Sequence, residues 1–271
     1  MNYTNPLKKI IRVHPLLFLL VAIWLLTACD FRSLKDPIVL TDVEDEFFLD
    51  LWEEITPEGR SFQLRMETIE DQSCSNSSID FSVDRTSTIF DISLREIKQP
   101  EDCAPGEAPA IAHIDLGDLP PGFYPLNIDL RDAIVNEANL RVRQDAYQLE
   151  MTTEYGIKPL RSELRRVNPE QFWGYISYPK YLQEAVDSLQ SDLQRYGSYE
   201  LPPEGYYGYF TVANGKLAIK DQPQHQSFVT WIMPIADADK AELEELIEEF
   251  RTTYTAEGLR IDFFDGKGET Y

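Results

Sequence analysis

The stretch TIFDISLREI, Thr88–Ile97, decides the predicted fold of the first half of the chain because its side chains alternate in character. Successive side chains of a β-strand point to opposite faces, so a strand that covers a core has polar and apolar residues in turn. One alternating set is therefore predicted to face water and the other to be mostly buried. The two sets are Ile89, Asp91, Ser93 and Arg95, and Phe90, Ile92, Leu94 and Glu96.

The same rhythm runs from Phe47 to Thr153, where short alternating segments are separated by polar breaks. Many short strands of this kind are typical of an all-β sandwich. The Pro-Gly turn in LPPGFYPLNI, Leu119–Ile128, leads into a strand and resembles turns of immunoglobulin-like modules. We predict an all-β immunoglobulin-like sandwich over residues 43–155, a resemblance of architecture that carries no function. The predicted strands are FFLDLWEEI, SFQLRMETI, SIDFSVD, TIFDISLREI, AIAHIDL, GFYPLNIDL, ANLRVRQ and AYQLEMT.

In the second half of the chain, strand patterns are interrupted by helical periodicity. Within Pro179–Gly197, apolar residues recur at three- and four-residue spacing, which predicts a helix. Asp239 and Glu242 predict a capping box at the start of a second helix, which Gly258 ends. Asn214-Gly215 predicts a tight hairpin turn between the two helices. The order β-α-β-β-α-β resembles a ferredoxin-like plait, in which both helices cover one face of the sheet.

These patterns predict two domains, the sandwich over 43–155 and an α+β ferredoxin-like domain over 169–271, joined by a linker at 156–168. The linker carries a small basic cluster in an otherwise acidic chain. We expect this cluster to pair with Asp and Glu of the two domains, and an acidic partner is the alternative. The cluster consists of Arg161, Arg165 and Arg166.

Alternation places aromatic residues on one side of several strands of the predicted plait, one face of which carries no helix. Pointing outward, these residues would form a platform able to stack on a sugar ring, a peptide or another protein. The sequence does not fix which side faces the helices, and the alternative is that the sandwich or a second copy of the chain packs there. The candidate binding face comprises Trp173, Tyr175, Tyr207, Tyr209 and Phe228.

Before both domains lies a segment with the features of an export signal. Lys8, Lys9 and Arg12 precede Pro15–Leu26, which contains no charge. At about 1.5 Å per residue, this apolar run is too short to cross a hydrocarbon core of about 30 Å. A basic start, a short apolar middle and small residues at the end are typical of a secretory signal.

The end of this segment is similar to the lipobox of bacterial lipoproteins, in which an apolar residue and two small residues precede a cysteine. The resemblance implies that residues 1–28 are a cleaved signal peptide, that Cys29 carries the lipid, and that residues 29–42 form a tether. Several acyl chains hold a soluble domain durably at a membrane, because each buried methylene contributes about 0.8 kcal/mol. An ordinary secretory signal or an uncleaved membrane helix is the alternative. The matching residues are Leu26, Thr27, Ala28 and Cys29.

Two cysteines follow Cys29, namely Cys74 before the third predicted strand and Cys103 after the fourth. A hairpin that turns near Arg85–Ser87 would bring both to its open end. In an exported chain such a pair favours a disulfide over two free thiols. Closing the intervening loop would contribute roughly 3.5 kcal/mol to stability. The alternative of a catalytic thiol lacks a recognisable redox or protease motif.

The formal net charge of −22 is strongly acidic, and removal of residues 1–28 would make it more negative by three. Such a chain repels phosphate backbones and anionic headgroups. We therefore predict no nucleic-acid partner and a membrane contact made through the lipid on Cys29 alone.

Sequence motifs for catalysis or metal binding are absent: there is no HExxH, GxSxG, P-loop or paired-cysteine motif. DFFDGKGE, Asp262–Glu269, lacks the ligand spacing of a calcium loop and predicts a terminal turn. His113 is predicted to be partly buried in a strand, and His225 to lie in a polar loop. We predict no catalytic residue, metal or cofactor.

Together these features predict a lipid-anchored protein of the bacterial cell envelope, in the inner or the outer membrane, with a non-catalytic binding or scaffolding role towards a protein or a glycan. The alternative is a small envelope hydrolase that uses acidic residues. A pocket with convergent carboxylates of raised pKa would favour the hydrolase, and an exposed aromatic face would favour the binding protein.

Overall fold

The structure, a computed structural model, describes residues 43–223 and 227–271, and its first region is built around one curled sheet of ten strands. All eight strands predicted between Phe47 and Thr153 are present, and four short strands join them. Strands β3 and β6 form a separate two-stranded sheet. The strands of this region are β1 (Phe47–Thr56), β2 (Gly59–Thr68), β3 (Gln72–Cys74), β4 (Ser78–Thr86), β5 (Ile89–Lys98), β6 (Pro105–Ala108), β7 (Ile111–Gly117), β8 (Gly122–Leu130), β9 (Ile134–Val142), β10 (Ala146–Met151), β11 (Ile157–Pro159) and β12 (Glu163–Arg165).

The large sheet curls until its two edges meet on one short segment. Its strand order is β11-β1-β2-β7-β4-β5-β8-β9-β10-β12, so the two edge strands are neighbours in sequence. The N–H of Leu160 donates to the carbonyl of Leu49 in β1 (2.8 Å), and the N–H of Leu149 in β10 donates to the carbonyl of Ser162 (2.8 Å). The segment predicted as a linker, 156–168, thus contributes two strands to the sheet, because its backbone pairs with both edges.

Inward-facing residues of these strands form one apolar core. In β1, Phe47, Leu49 and Leu51 are buried at alternate positions. The ring of Phe62 in β2 stacks on that of Tyr147 in β10, with centroids 4.4 Å apart. Because β2 and β10 lie far apart in the strand order, this contact joins the two ends of the curled sheet across its interior.

The predicted hairpin and disulfide are both confirmed. β4 and β5 pair antiparallel around a turn in which Ser87 has a φ of 59°. Cys74 and Cys103 form a disulfide with Cα atoms 5.3 Å apart. The small sheet of β3 and β6 lies beside this bridge, so the disulfide fixes the open end of the hairpin.

The second region contains a three-stranded antiparallel sheet with two helices on one face. β13 (Gln171–Tyr178) lies between β17 (Ser227–Pro234) and β18 (Arg260–Asp265). The helices are α1 (Gln183–Leu193) and α2 (Lys240–Tyr254), flanked by the 3₁₀ turns Lys180–Leu182, Asp237–Asp239 and Thr255–Glu257. Helix and sheet share an apolar core that includes Phe172, Ile176, Val186, Leu189, Leu243 and Ile247.

The structure confirms the predicted C-terminal glycine of α2 but not the predicted capping box at its N-terminus. Gly258 has a left-handed φ of 91° after the last turn, as predicted for a helix C-terminus. Asp239 precedes the helix, but its side chain makes no capping hydrogen bond. Its φ of −95° and ψ of −10° are not the extended geometry of an N-cap, because the chain enters the helix through a 3₁₀ turn.

The other face of the main sheet is covered by β14 (Gly205–Tyr206), β15 (Phe210–Ala213) and β16 (Lys216–Ile219), a small sheet of their own. Asn214 and Gly215 form the predicted hairpin turn, with φ values of 51° and 68°. In a ferredoxin-like plait one of these strands would join the main sheet, which here has three strands. The small sheet instead packs on the main sheet. Both sheets contribute buried apolar side chains to the layer between them, including Trp173, Tyr175, Ile232, Tyr207, Phe210, Val212 and Ile219.

Residues 44–271 form one compact unit, in which the two regions share contacts. The N–H of Ile55 donates to Tyr209 Oη (2.9 Å), and the ring of Trp52 lies 4.8 Å from that of Tyr209. Arg60 donates to the carbonyls of Val167 (2.7 Å) and Gly266. Side chains at the end of β1 and the start of β2 therefore hold the second region.

Several predicted features lie outside the described residues. These are the signal peptide, the lipobox with Cys29, the whole tether at 29–42, and His225. Within the described part of the chain, no helix is long and apolar enough to cross a membrane.

Candidate functional site

The predicted aromatic binding face is not a surface. Trp173, Tyr175 and Tyr207 are buried, and Tyr209 is half-buried with its hydroxyl bonded to Ile55. Of the five predicted residues, Phe228 alone is exposed, at 38 %. The physical reason is the small sheet β14–β16, which covers these aromatic residues within the chain itself.

An open cleft, called here the outer cleft, lies instead on the outward face of β9 and β10, beside the segment that closes the large sheet. Its volume is about 730 Å³. Phe123 on β8 and Leu160 on the closing segment lie on its walls and are 57 % and 49 % exposed. Two large apolar side chains are thus exposed to solvent on the walls of a cleft whose volume is in the range of small-molecule sites.

The strand register places the polar side chains of the outer cleft in a row. Phe123 is paired with Arg141, Arg141 with Gln148, and Gln148 with Glu163. Neighbouring strands lie about 4.8 Å apart, so the row spans about 15 Å across four strands. An aromatic ring, a guanidinium, an amide and a carboxylate therefore follow one another along one line.

Several polar groups of the outer cleft are free to bind a ligand. Within the described residues, the side chains of Asn139, Arg141 and Glu150 make no hydrogen bond or ion pair, although Asn139 and Glu150 are cross-strand neighbours. Gln148 Nε2 donates to Glu163 Oε2 (2.8 Å), which fixes the plane of that amide. The cleft thus combines unpaired donors and acceptors with a Gln148 amide whose orientation is fixed.

A second polar site, not predicted from the sequence, is the buried carboxylate of Glu53, which is 1 % exposed. Its Oε1 accepts hydrogen bonds from Arg166 Nε (2.9 Å) and from the hydroxyl of Tyr147 (2.9 Å). Arg60 Nη1 lies 3.5 Å from Oε2. Burial, and after it the negative charge of Glu53, raises the pKa of the Tyr147 hydroxyl, which stays a protonated donor.

The sequence contains a signal that Glu53 is a buried carboxylate with a partner. In β1 the inward positions are occupied by Phe47, Leu49, Leu51, Glu53 and Ile55. A carboxylate at an inward position of an alternating strand requires a buried partner. That partner comes from the basic cluster of the predicted linker.

The three arginines of that cluster pair with acidic residues, but these partners belong to the first region and to the closing segment, whereas pairing with both regions was predicted. Arg161 Nη1 lies 2.6 Å from Asp50 Oδ2, and Arg166 binds Glu53. Arg165 makes longer contacts, 3.7 Å to Asp145 Oδ2 and 3.6 Å to Glu163 Oε1.

The acidic segment Asp262–Glu269 includes a turn organised by the carboxylate of Asp265. Its Oδ1 accepts the N–H groups of Lys267 (2.9 Å) and Glu269 (3.0 Å), and its Oδ2 pairs with Lys240. Burial raises the pKa of Asp265, but these hydrogen bonds outweigh burial and hold the pKa below its ordinary value. Among the described residues, no group of three His, Cys, Asp or Glu is arranged to hold a metal.

His113 projects outward from β7 and is exposed, not partly buried as predicted. It is paired across the strands with Arg65. Partial loss of hydration, and after it the positive charge of Arg65, lowers the pKa of the His113 imidazole.

Comparison of the chain with protein-family models, with curated proteins and with solved structures finds no match. Function is therefore inferred from the side chains described above. The outer cleft is the site at which exposed apolar groups and unpaired polar groups converge.

Proposed function

We propose that the chain is a lipid-anchored protein of the bacterial cell envelope that binds a glycan in the outer cleft without transforming it. The lipobox residues Leu26–Cys29 support the anchor. The row from Phe123 to Glu163 supports the ligand class. The part of the chain that the structure describes offers no observation that favours the alternative hydrolase.

The proposal extends to the finer architecture. The ten-stranded region is proposed to be an immunoglobulin-like sandwich, because the two ends of its strand order share one core. The second region is proposed to derive from a ferredoxin-like plait whose hairpin β15–β16 left the main sheet. The described residues taken together are predominantly β, and the two helices of eight residues or more among them belong to the second region.

The observation that carries the glycan proposal is the exposed ring of Phe123 at one end of a row of planar polar side chains. A sugar ring has an apolar face of C–H groups, which packs on an aromatic ring, and hydroxyls that both donate and accept. Arg141 supplies donors, Gln148 supplies both kinds of group, and Glu163 supplies acceptors.

The charges of the outer cleft favour an uncharged ligand. Two positive groups, Arg141 and Arg161, lie beside three negative ones, Glu150, Glu154 and Glu163, so both signs are present. A strongly ionic ligand would meet like charges on one wall, whereas a neutral saccharide forms hydrogen bonds with both kinds of group. We therefore propose that the ligand is a neutral glycan rather than a protein.

The ligand proposal is tested with the detergent-solubilised native protein and a panel of neutral envelope oligosaccharides, measured by calorimetry. Phe123→Ala should weaken binding by about tenfold, because the stacking surface is lost. Phe228→Ala is the matched control, since Phe228 is also an exposed phenylalanine but lies outside the cleft. Equal effects of the two variants, or binding of peptides but of no saccharide, would contradict the proposal.

The anchor is tested separately by fractionation and mass spectrometry. Cys29→Ser should release the protein from membranes, because the sulfur that carries the lipid is gone. The native protein should begin at an acylated Cys29. Recovery of a native chain with residues 1–28 intact and a free thiol would refute the anchor and leave the ligand proposal untouched.

A further inference from the structure

We propose that a second cleft, where the two regions meet, binds the carboxylate of a small organic acid with an apolar body. This junction cleft has a volume of about 410 Å³. It is lined by residues 165–168, by Gln171, by the loop 200–203 and by Phe210. It shares no lining residue with the outer cleft, so it is a separate site that goes beyond the proposed function.

Arg166 brings a positive charge to the lining of the junction cleft. Arg60 and Arg166 share the single carboxylate of Glu53, and both side chains are largely buried. Two guanidinium groups against one carboxylate leave one positive charge without a partner in this group. Arg166 also lines the cleft, so an anion placed there would reduce the cost of that charge.

Gln171 provides a second, independent observation. It lines the junction cleft and is 8 % exposed, and its Nε2 has no hydrogen-bond partner within the described residues. A buried donor without an acceptor costs about 1–3 kcal/mol. A carboxylate oxygen supplied by a ligand would remove that cost, whereas a ligand without an acceptor would not.

Part of the cleft lining is apolar and fixed in place. Tyr207 and Phe210 stack with ring centroids 4.7 Å apart, and the Tyr207 hydroxyl donates to the carbonyl of Pro203 (2.8 Å). Pro202 and Pro203 complete this part of the lining. A ligand that presents a carboxylate to Arg166 would place its apolar body against these rings.

Two acidic side chains set a limit on the charge of the ligand. Asp145 and Glu200 lie on the cleft and are exposed. They repel a second negative charge on the ligand, so the site favours a monocarboxylate over a dianion or a phosphate.

The test uses one pair of probes that differ only at the carboxyl group, N-acetyl-phenylalanine and its carboxamide. Binding to the full-length protein in detergent is measured by calorimetry at millimolar probe. The free acid should bind at least about tenfold more tightly than the amide, because a hydrogen bond to a charged group is lost in the amide. Raising the salt concentration should weaken binding of the acid and leave that of the amide unchanged.

Gln171→Met tests the role of the amide at nearly constant side-chain volume. It should weaken binding of the acid while leaving the melting temperature unchanged or higher, because the unpartnered donor is removed. Gln194→Met, on the exposed end of α1, is the control and should bind like the native protein. Binding of acid and amide with equal affinity, no binding of the acid, or an unaltered affinity in Gln171→Met would each overturn the proposal.

Discussion

β5 and β13 are both interior strands of their sheets, yet water reaches one face of β5 and neither face of β13. In β5 the buried residues Phe90, Ile92 and Leu94 alternate with residues that are exposed or half-buried. In β13 all eight residues are buried, because helices cover one face and the small sheet β14–β16 covers the other. A strand between two layers has no polar face. Its sequence therefore does not show which side chains face the helices and which face the small sheet.

The two strands should also differ in how well they tolerate substitutions. An outward position of β5 is open to water, which accommodates a changed side chain at little cost. Every position of β13 is packed, so a change in volume or charge must be absorbed by neighbouring backbone. Substitutions on the two strands should therefore differ in free energy of unfolding by several kcal/mol.

The largest effect is expected for Gly174→Ala in β13. A Cβ atom at this position would lie 2.1 Å from the carbonyl oxygen of Asp262 and 2.7 Å from the Cα of Phe263, both backbone atoms of β18. Because the strands must separate to admit it, we expect a loss of at least about 3 kcal/mol in denaturant unfolding.

Gly117→Ala at the end of β7 is the matched control for Gly174→Ala. An added Cβ at Gly117 meets no atom within 4 Å, and the cost arises from the left-handed φ of 81° alone. That cost is about 1 kcal/mol. If both variants lose the same stability, the backbone of β18 does not approach Gly174 as closely as described.

A smaller effect is expected for Glu53→Gln, at the one carboxylate among the inward positions of β1. The amide keeps an acceptor for Tyr147 but leaves Arg60 and Arg166 without a negative partner. Because both arginines retain some exposure, we expect a loss of about 2 kcal/mol rather than the full cost of a buried charge. The control is Glu96→Gln, an exposed glutamate of β5, which should unfold like the native protein.

Tyr175 in β13 is expected to make stability sensitive to alkaline pH. Burial, and after it the hydrogen bond to Asp262, raises the pKa of Tyr175 to about 12. An unfolded tyrosine has a pKa near 10. The fold therefore favours the neutral phenol, and this contribution to stability is complete below pH 10 and is lost as the pH rises to about 12.

Tyr175→Phe removes this group, so its stability should decline less steeply than that of the native protein as the pH rises from 10 to 12. Chemical denaturation at several pH values measures the slope. Identical slopes for the two proteins would show that Tyr175 is not held neutral by its surroundings.

The same contrast explains what the sequence could predict. Alternation identified all eight strands of the first region that have one wet face, and the cysteine positions identified the disulfide that closes β4 and β5. Strands β11 and β12 have three residues each, too few to show a period. They exist because the sheet curls and brings its edges to one segment, which is a property of the whole region.

The candidate sites were less accessible to sequence reasoning. Trp173 and Tyr175 could be placed on one side of β13, but the layer that covers them is formed by residues 207–219, and no local signal shows that these residues form a separate sheet. The row from Phe123 to Glu163 depends on the register of four strands. Glu53 was the exception, since an acidic residue at an inward position is visible in the sequence.

The smallest effect is expected for Asp91→Asn on the outward face of β5. Asp91 Oδ1 accepts a hydrogen bond from Asn127 Nδ2 (2.7 Å), and the variant keeps an oxygen for that contact. We expect a change within about 0.5 kcal/mol in denaturant unfolding, because water replaces whatever interaction is lost. A loss as large as that of Glu53→Gln would mean that another layer covers β5 and that its alternation does not reflect contact with water.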